Sequence, residues 1–78
     1  MNKICAYIES LDDEEKMLII NGWEEFERKG GIEDDPLRLH TKSFMKELGI
    51  KGDAQFILWM KLIAFEAYRY FARKYING

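Results

Sequence analysis

The C-terminal third of the chain carries its strongest hydrophobic pattern. Residues 56–71 read FILWMKLIAFEAYRYF, a segment of helix length in which only Lys61, Glu66 and Arg69 are charged. At about 100° per residue its apolar positions cover well over half of the helix circumference. We expect one face of this helix to point into the core, and it comprises Ile57, Met60, Ala64, Ala67, Tyr68, Phe71 and Tyr75.

The same helix also carries apolar side chains outside that face. We predict that it begins with Asp53 as its cap and runs to about Tyr75. Leu58 and Phe65 flank the predicted core face on one side, and Leu62 falls among polar residues on the far side. The other flank comprises Trp59 and Tyr70. The polar face comprises Gln55, Glu66, Arg69 and Arg73.

Two shorter amphipathic segments precede this helix. Residues 3–10, KICAYIES, repeat isoleucine at the spacing of one helical turn, which predicts a short helix. Ser10 followed three residues later by Asp13 is typical of a capping box, so we predict that a second helix follows and runs to about Lys29. Its buried stripe is predicted to comprise Ile19, Ile20, Trp23 and Phe26.

The middle of the chain predicts a loop and one more helix. GGIEDDP, residues 30–36, reads as a loop with Ile32 tucked inwards; Asp35 is then a helix cap and Pro36 the first helical residue. Gly49 ends this helix, whose apolar face comprises Leu37, Thr41, Phe44 and Leu48. The sequence therefore predicts an all-α fold: a single domain, 1–78, forming a compact bundle of four to five helices with a long, mostly apolar C-terminal helix.

Charge is unevenly distributed along the chain. The net charge of 78 residues is −2, but residues 1–40 hold 5 basic and 11 acidic side chains (net −6), whereas residues 41–78 hold 7 and 3 (net +4). A small net charge does not favour a general polyanion binder. The asymmetry favours either neutralisation between the two halves within one fold or pairing with another molecule.

Cysteine content and hydropathy bear on the compartment. Cys5 is the one cysteine, so it cannot form an internal disulfide. The N-terminal segment contains Glu9 and lacks the apolar stretch of a signal peptide, and Lys61 and Glu66 interrupt the longest apolar run. We expect a cytoplasmic protein that does not bind a membrane.

The sequence contains no convincing arrangement of catalytic residues. His40 and Cys5 belong to different predicted helices, so a nucleophile–base pair is not indicated. The acidic groups lack the alternating spacing of a calcium loop, and no glycine-rich phosphate-binding motif is present. We therefore expect no enzymatic activity, no cofactor and no metal.

A nucleic-acid-binding function is the alternative that the basic residues allow. The turn in FMKELGIKGDAQF is similar to that of a helix-turn-helix, but Gln55 falls where that motif needs an apolar residue, and the following helix is too apolar for a DNA groove. Basic and aromatic residues alternate near the C-terminal end, as in some single-strand binders. The candidate contacts are Lys61, Arg69, Arg73 and Lys74.

The segment IEDDPLRLHTKSFMKELGI, residues 32–50, resembles the middle of a sterile alpha motif (SAM) domain. The spacing typical of that family is kept at Ile32, Leu37, Thr41, Met45, Lys46, Leu48, Gly49 and Ile50. Trp23 and Phe26 take the place of the family's preceding aromatic pair, whereas His40 stands where the family usually has leucine. The resemblance implies a protein-interaction module that assembles head to tail. One implied surface is the acidic loop, which comprises Glu33, Asp34 and Asp35. The other is the start of the last helix, around Lys51, Gly52 and Asp53.

We expect this protein to act by binding another protein. Three shorter helices cannot cover the whole of a helix as apolar as the last one, and the flank with Leu58, Leu62 and Phe65 is predicted to remain exposed, together with Trp59. A patch of on the order of 300–400 Å² usually marks an interface. The expected partner is a second copy or a larger protein, and a small regulator or inhibitor of the kind that mobile elements often encode fits this size.

Overall fold

Residues 2–30 and 36–76 form an all-α bundle of five helices, as the sequence predicts. A computed structural model describes residues 2–30 and 36–76, and no strand occurs among them. The helices are α1 (Lys3–Ser10), α2 (Asp13–Arg28), α3 (Pro36–His40), α4 (Lys42–Glu47) and α5 (Asp53–Ile76). The predicted cap Asp35 and the predicted inward position of Ile32 lie outside the described residues.

Helix α5 is the element against which the others pack. Phe26, near the end of α2, meets Phe56 at the start of α5 with ring centroids 6.2 Å apart, whereas Asp13 at the start of α2 contacts Lys74 near the end of α5. The two helices therefore run antiparallel. Helix α1 packs on α5 from another side and also reaches α4, where the ring of Tyr7 stacks on Phe44 at 4.0 Å.

The N-terminus of α2 is capped two residues further along than the sequence predicts. Asp12 accepts a hydrogen bond from the backbone N–H of Glu15 at 2.8 Å, and the Glu15 carboxylate accepts the N–H of Asp12 in return. The prediction of Ser10 as the cap is wrong, because its hydroxyl donates to the carbonyl of Tyr7 and so closes the end of α1. Both serine and aspartate can cap a helix, and an acid follows three residues after each; the capping box forms at Asp12, where the Glu15 side chain reaches back to the backbone N–H.

The single helix predicted after Pro36 is divided at Thr41. This residue is fully buried, and its hydroxyl donates to the carbonyl of Leu37 at 2.9 Å. A threonine hydroxyl that bonds to the carbonyl four residues back bends a helix. The bend separates α3 from α4 and lets both Leu37 and Phe44 enter the core.

Gly49 ends α4 as predicted. It adopts a φ of 74°, which glycine tolerates best; its N–H bonds to the carbonyl of Lys46, and the N–H of Ile50 bonds to the carbonyl of Met45. These two bonds form a Schellman motif.

The cap predicted at Asp53 is wrong. The Gly52 carbonyl accepts the first helical bond of α5, from Phe56, so Asp53 is already inside the helix. Its carboxylate lies 3.2 Å from the guanidinium of Arg38. The first turn of α5 is thereby joined to α3 by an ion pair that bridges two exposed side chains.

The core face of α5 is rotated from the predicted one. Met60, Ala64 and Ala67 are buried as expected, and Phe71 packs half-buried against them, but Ile57, Tyr68 and Tyr75 are exposed. Phe56 and Ile63 are buried in their place, which corresponds to a rotation of about 45° on a helical wheel. On a helix that is apolar nearly all round, the positions of α1 and α2 decide which stripe is covered.

Paired substitutions in α5 test this rotation. Ile63 is completely buried, so Ile63→Ala is expected to lower the free energy of unfolding by about 3–4 kcal/mol through lost packing and a cavity. Ile57→Ala, the same change two turns away on an exposed position, should cost about 1 kcal/mol or less. Urea unfolding followed by circular dichroism measures both; equal losses would contradict the rotated face.

Candidate interaction surface

One long face of α5 lies outside the core and is largely apolar. Ile57, Leu58, Leu62 and Phe65 are 40%, 57%, 42% and 59% exposed. At about 100° per residue Leu58, Leu62 and Phe65 fall on the side of the helix opposite Ala67, and Ile57 lies between that side and the buried stripe. Together with two polar neighbours they form the surface that we call the outer face: Ile57, Leu58, Lys61, Leu62, Phe65 and Tyr68.

Helix α2 borders the outer face along one side, which we call the α2 edge. The hydroxyl of Tyr68 donates to the carboxylate of Glu24, and Glu27 and Lys61 line the same shallow cavity of about 210 Å³. None of Glu24, Glu27 and Lys61 forms an ion pair with any other described residue. This edge therefore holds two carboxylates and an ammonium group that have no ion pair in the part of the chain that the structure describes.

The hydrogen bond at the α2 edge fixes the protonation state of Tyr68. The carboxylate of Glu24 raises the pKa of Tyr68 to about 12, with a smaller contribution from burial. The phenol therefore stays protonated throughout the physiological range and donates its proton to Glu24. This bond holds the Glu24 carboxylate beside the outer face.

The opposite side of the outer face, the α1 edge, has its charges paired. Glu66 lies 3.6 Å from Arg69 and 3.7 Å from Arg73. Below them, Cys5 borders a cavity of about 350 Å³ that Glu66 also lines. Burial, and next the Glu66 carboxylate, raise the pKa of the Cys5 thiol, so the thiolate that a nucleophile requires is disfavoured.

The four candidate nucleic-acid contacts do not share one face. Arg69 and Arg73 pair with Glu66, and Lys74 pairs with Asp13. Lys61 is the member of this set that has no ion pair among the described residues. Because Lys74 projects toward α2 and the arginines toward the α1 edge, α5 presents no continuous basic stripe.

A polar cluster joins the start of α2 to the end of α5. The Asp13 carboxylate accepts a hydrogen bond from Tyr70 at 2.8 Å and one from Lys74. The ammonium of Lys16, a buried residue, lies 3.4 Å from the centroid of the Tyr70 ring and 3.6 Å from Asp13. The hydrogen bonds from Lys74 and Tyr70 hold the pKa of Asp13 below its usual range.

Other predicted partner contacts lie elsewhere. Trp59 is half-buried and packs against the core, so it contributes only part of its surface. Lys51 is exposed at the turn before α5, where its backbone N–H donates to the Gln55 side chain at 2.9 Å. The acidic loop lies outside the described residues, which include none of Glu33, Asp34 and Asp35.

A second exposed apolar area was not predicted. Leu18 on α2 and Leu39 on α3 are exposed and line, with Leu37 and His40, a groove of about 570 Å³. The signal was present in the sequence as leucines that lie off the predicted buried stripes.

Residues with catalytic potential are not brought together. Cys5 and His40 border different cavities, one between α1 and α5 and the other between α2 and α3. Within residues 2–30 and 36–76, no group of three His, Cys, Asp or Glu side chains could hold a metal ion. Among the described helices, none has the length and apolar content needed to cross a membrane.

Comparisons with known proteins provide no relative for this chain. No protein-family model, curated protein or solved structure matches it. Function is therefore argued from the surface described above.

The polar cluster at Asp13 generates a prediction about acid stability. A folded-state pKa below the unfolded value of about 3.9 means that ionised Asp13 stabilises the fold above that pH, and that this contribution is lost as the pH falls through the folded pKa. Asp13→Asn should therefore lower the free energy of unfolding at pH 7, and its difference from the wild type should shrink below about pH 4.

Urea unfolding between pH 2 and pH 7 measures this difference. Glu14→Gln removes a neighbouring first-turn carboxylate that has no ion pair among the described residues, and so controls for the loss of charge near the helix N-terminus. A difference between Asp13→Asn and wild type that stays constant down to the lowest pH would contradict the role given to Asp13.

Proposed function

We propose that this protein is a small, non-enzymatic protein–protein interaction module, a regulator or inhibitor whose partner covers the outer face of α5. The observation that carries the proposal is the exposure of Ile57, Leu58, Leu62 and Phe65 along one side of the helix. Exposed apolar patches of a few hundred Å² usually mark an interface on a soluble domain.

An uncovered outer face forgoes the favourable free energy that burying its apolar area would provide. At about 25 cal/mol per Å², burying an apolar patch of roughly 300–400 Å² is worth at most about 8–10 kcal/mol before the costs of association. This is comparable with the whole stability of a small domain, about 5–15 kcal/mol. A rigid helix also loses little conformational entropy when a partner packs on it.

The form of the outer face suits packing against another helix. Leu58, Leu62 and Phe65 recur at four- and three-residue spacing, which is the spacing of contacts between two packed helices. Lys61 and Tyr68 at its border supply polar groups, as in the rim of an interface. Self-association through this face is the first form of the proposal.

Two other functions make different predictions about salt. Nucleic-acid binding through Lys61, Arg69, Arg73 and Lys74 is supported less well, since three of these four side chains already have carboxylate partners. Head-to-tail assembly between the acidic loop and Lys51, which the SAM resemblance implies, depends on opposite charges. Both weaken as salt is added, whereas an apolar contact does not.

The experiment is the absolute mass in solution, measured by light scattering after size exclusion at 50 mM and 500 mM salt. We expect a dimer at both concentrations for the wild type. Leu62→Glu should shift the protein to monomer, raising the dissociation constant about tenfold or more, because a carboxylate would be buried against apolar groups.

Leu39→Glu is the matched control, since it makes the same change on an exposed leucine of a different surface. A dimer lost through Leu39→Glu but kept in Leu62→Glu would overturn the outer face as the interface. Salt-sensitive assemblies larger than a dimer would favour the head-to-tail form. Fluorescence anisotropy with a labelled single-stranded oligonucleotide tests the nucleic-acid alternative: binding that Arg69→Glu/Arg73→Glu abolishes would support it.

A further inference from the structure

The geometry of the outer face points to a second copy of this chain as its occupant, with the two α5 helices antiparallel and Lys61 of each copy beside the partner's Glu24. This inference rests on the proposed function and adds the identity, orientation and register of the partner. It follows from where the unpaired charges lie relative to the apolar stripe.

Two-fold symmetry leaves two ways to pair identical helices side by side. In a parallel pair, opposite edges of the two helices meet, so the α2 edge of one copy faces the α1 edge of the other. In an antiparallel pair, like edges meet, so the α2 edges face each other. Symmetric dimers of both kinds use the same patch on each copy, and the edges therefore decide between them.

The charges at the edges favour the antiparallel pair. A parallel pair holds equal positions of the two α5 helices level, so Lys61 would face the partner's α1 edge near position 61, where α5 has no acidic residue. The acid of that edge, Glu66, lies five residues further along and is already shared by two arginines. An antiparallel pair brings Lys61 toward the α2 edge of the other copy, which holds two carboxylates without ion pairs, Glu24 and Glu27. Opposite charges across an interface fix its orientation because like charges placed together are costly.

The apolar side chains set the register. Leu58 and Phe65 are seven residues apart, so they lie nearly one above the other along the middle of the outer face, about 10 Å apart. Antiparallel helices bring Leu58 onto the partner's Phe65, and Phe65 onto the partner's Leu58, when the two-fold axis passes between Lys61 and Leu62. Each of the two identical contacts then joins Phe65 of one copy to Leu58 of the other.

This register also separates the two lysines. Long side chains on a helix lean toward its N-terminus, so the two Lys61 side chains point away from the axis in opposite directions. Each leans about one turn, toward the level at which the partner's Tyr68 holds the Glu24 carboxylate. The hydrogen bond from Tyr68 thus holds the Glu24 carboxylate of one copy where Lys61 of the other copy can contact it.

The available surface is sufficient for a reversible dimer. Weak but specific interfaces bury about 1,000–1,200 Å² in total, or roughly 500–600 Å² per copy. The chain exposes 5553 Å², so about one-tenth of its surface would be covered, an area that the outer face and its α2 edge can supply. We therefore expect dissociation constants in the micromolar range, which sedimentation equilibrium can measure.

Charge reversal across the contact provides the test. Lys61→Glu and Glu24→Lys should each weaken the homodimer about tenfold or more, because each places like charges together at both symmetric contacts. An equimolar mixture of the two variants should form a heterodimer within about threefold of wild-type affinity, since both contacts then join opposite charges.

Matched controls accompany the reversals. Lys42→Glu on α4 and Glu14→Lys in the first turn of α2 change the same charges at exposed positions away from the outer face, and should leave the dimer unchanged. Circular dichroism checks that every variant is folded. Dissociation constants come from sedimentation equilibrium at 50 mM salt, with one variant labelled in the mixture.

Each outcome bears on a separate claim. Rescue in the mixture supports the antiparallel dimer. A wild-type dimer that Leu62→Glu disrupts, but in which the mixture shows no rescue, overturns the antiparallel arrangement and leaves the proposed function standing. A wild type that is monomeric at 500 μM overturns the second copy as occupant; a different protein that binds wild type but not Leu62→Glu would then preserve the interaction module.

Discussion

The fold depends on covering a 24-residue apolar helix with shorter helices. These shorter helices cannot surround its whole circumference. Helix α5 is apolar nearly all round, and α1 and α2 pack against it from two sides. The buried stripe runs through Met60, Ile63 and Ala67, and the outer face opposite has no covering element among the described residues. Core and candidate interface are thus two sides of one helix. The same hydrophobicity that holds the bundle together leaves an exposed apolar surface.

The helices could be predicted from the sequence with few errors, because capping residues and glycines act locally. Gly49 ends α4 through its own backbone conformation, and the stripe of α2 follows from helical spacing. The errors arose where the sequence offers more than one local option. Two residues could cap α2, and the carboxylate of Glu15 selects Asp12. Thr41 looked like an ordinary position on an apolar face, yet its buried hydroxyl divides one helix into two.

The candidate surface was predictable in part for a related reason. Leu58, Leu62 and Phe65 were expected on an exposed flank, and they are exposed, because a helix cannot be covered on every side by so short a chain. The neighbouring charges could not be predicted, since Glu24 reaches the outer face only through the packing of α2 beside Tyr68. Among the described residues, Asp13 with Lys74 is the ion pair that offsets the charge asymmetry of the sequence, whereas Arg38 with Asp53 joins a base of the acidic half to an acid of the basic half. The charges of Lys61, Glu24 and Glu27 have no ion pair among those residues.

The antiparallel packing of α2 on α5 also constrains how the chain reaches its folded state. Phe26 meets a residue 30 positions later, and Asp13 meets one 61 positions later, so the largest contact between elements joins distant parts of the chain. Helical proteins usually rely on local contacts and fold fast for that reason. Here the first four helices lack the element against which most of their apolar residues pack until α5 has left the ribosome. Folding is therefore expected to follow the synthesis of α5, and until then the apolar stripe of α2 is available to chaperones.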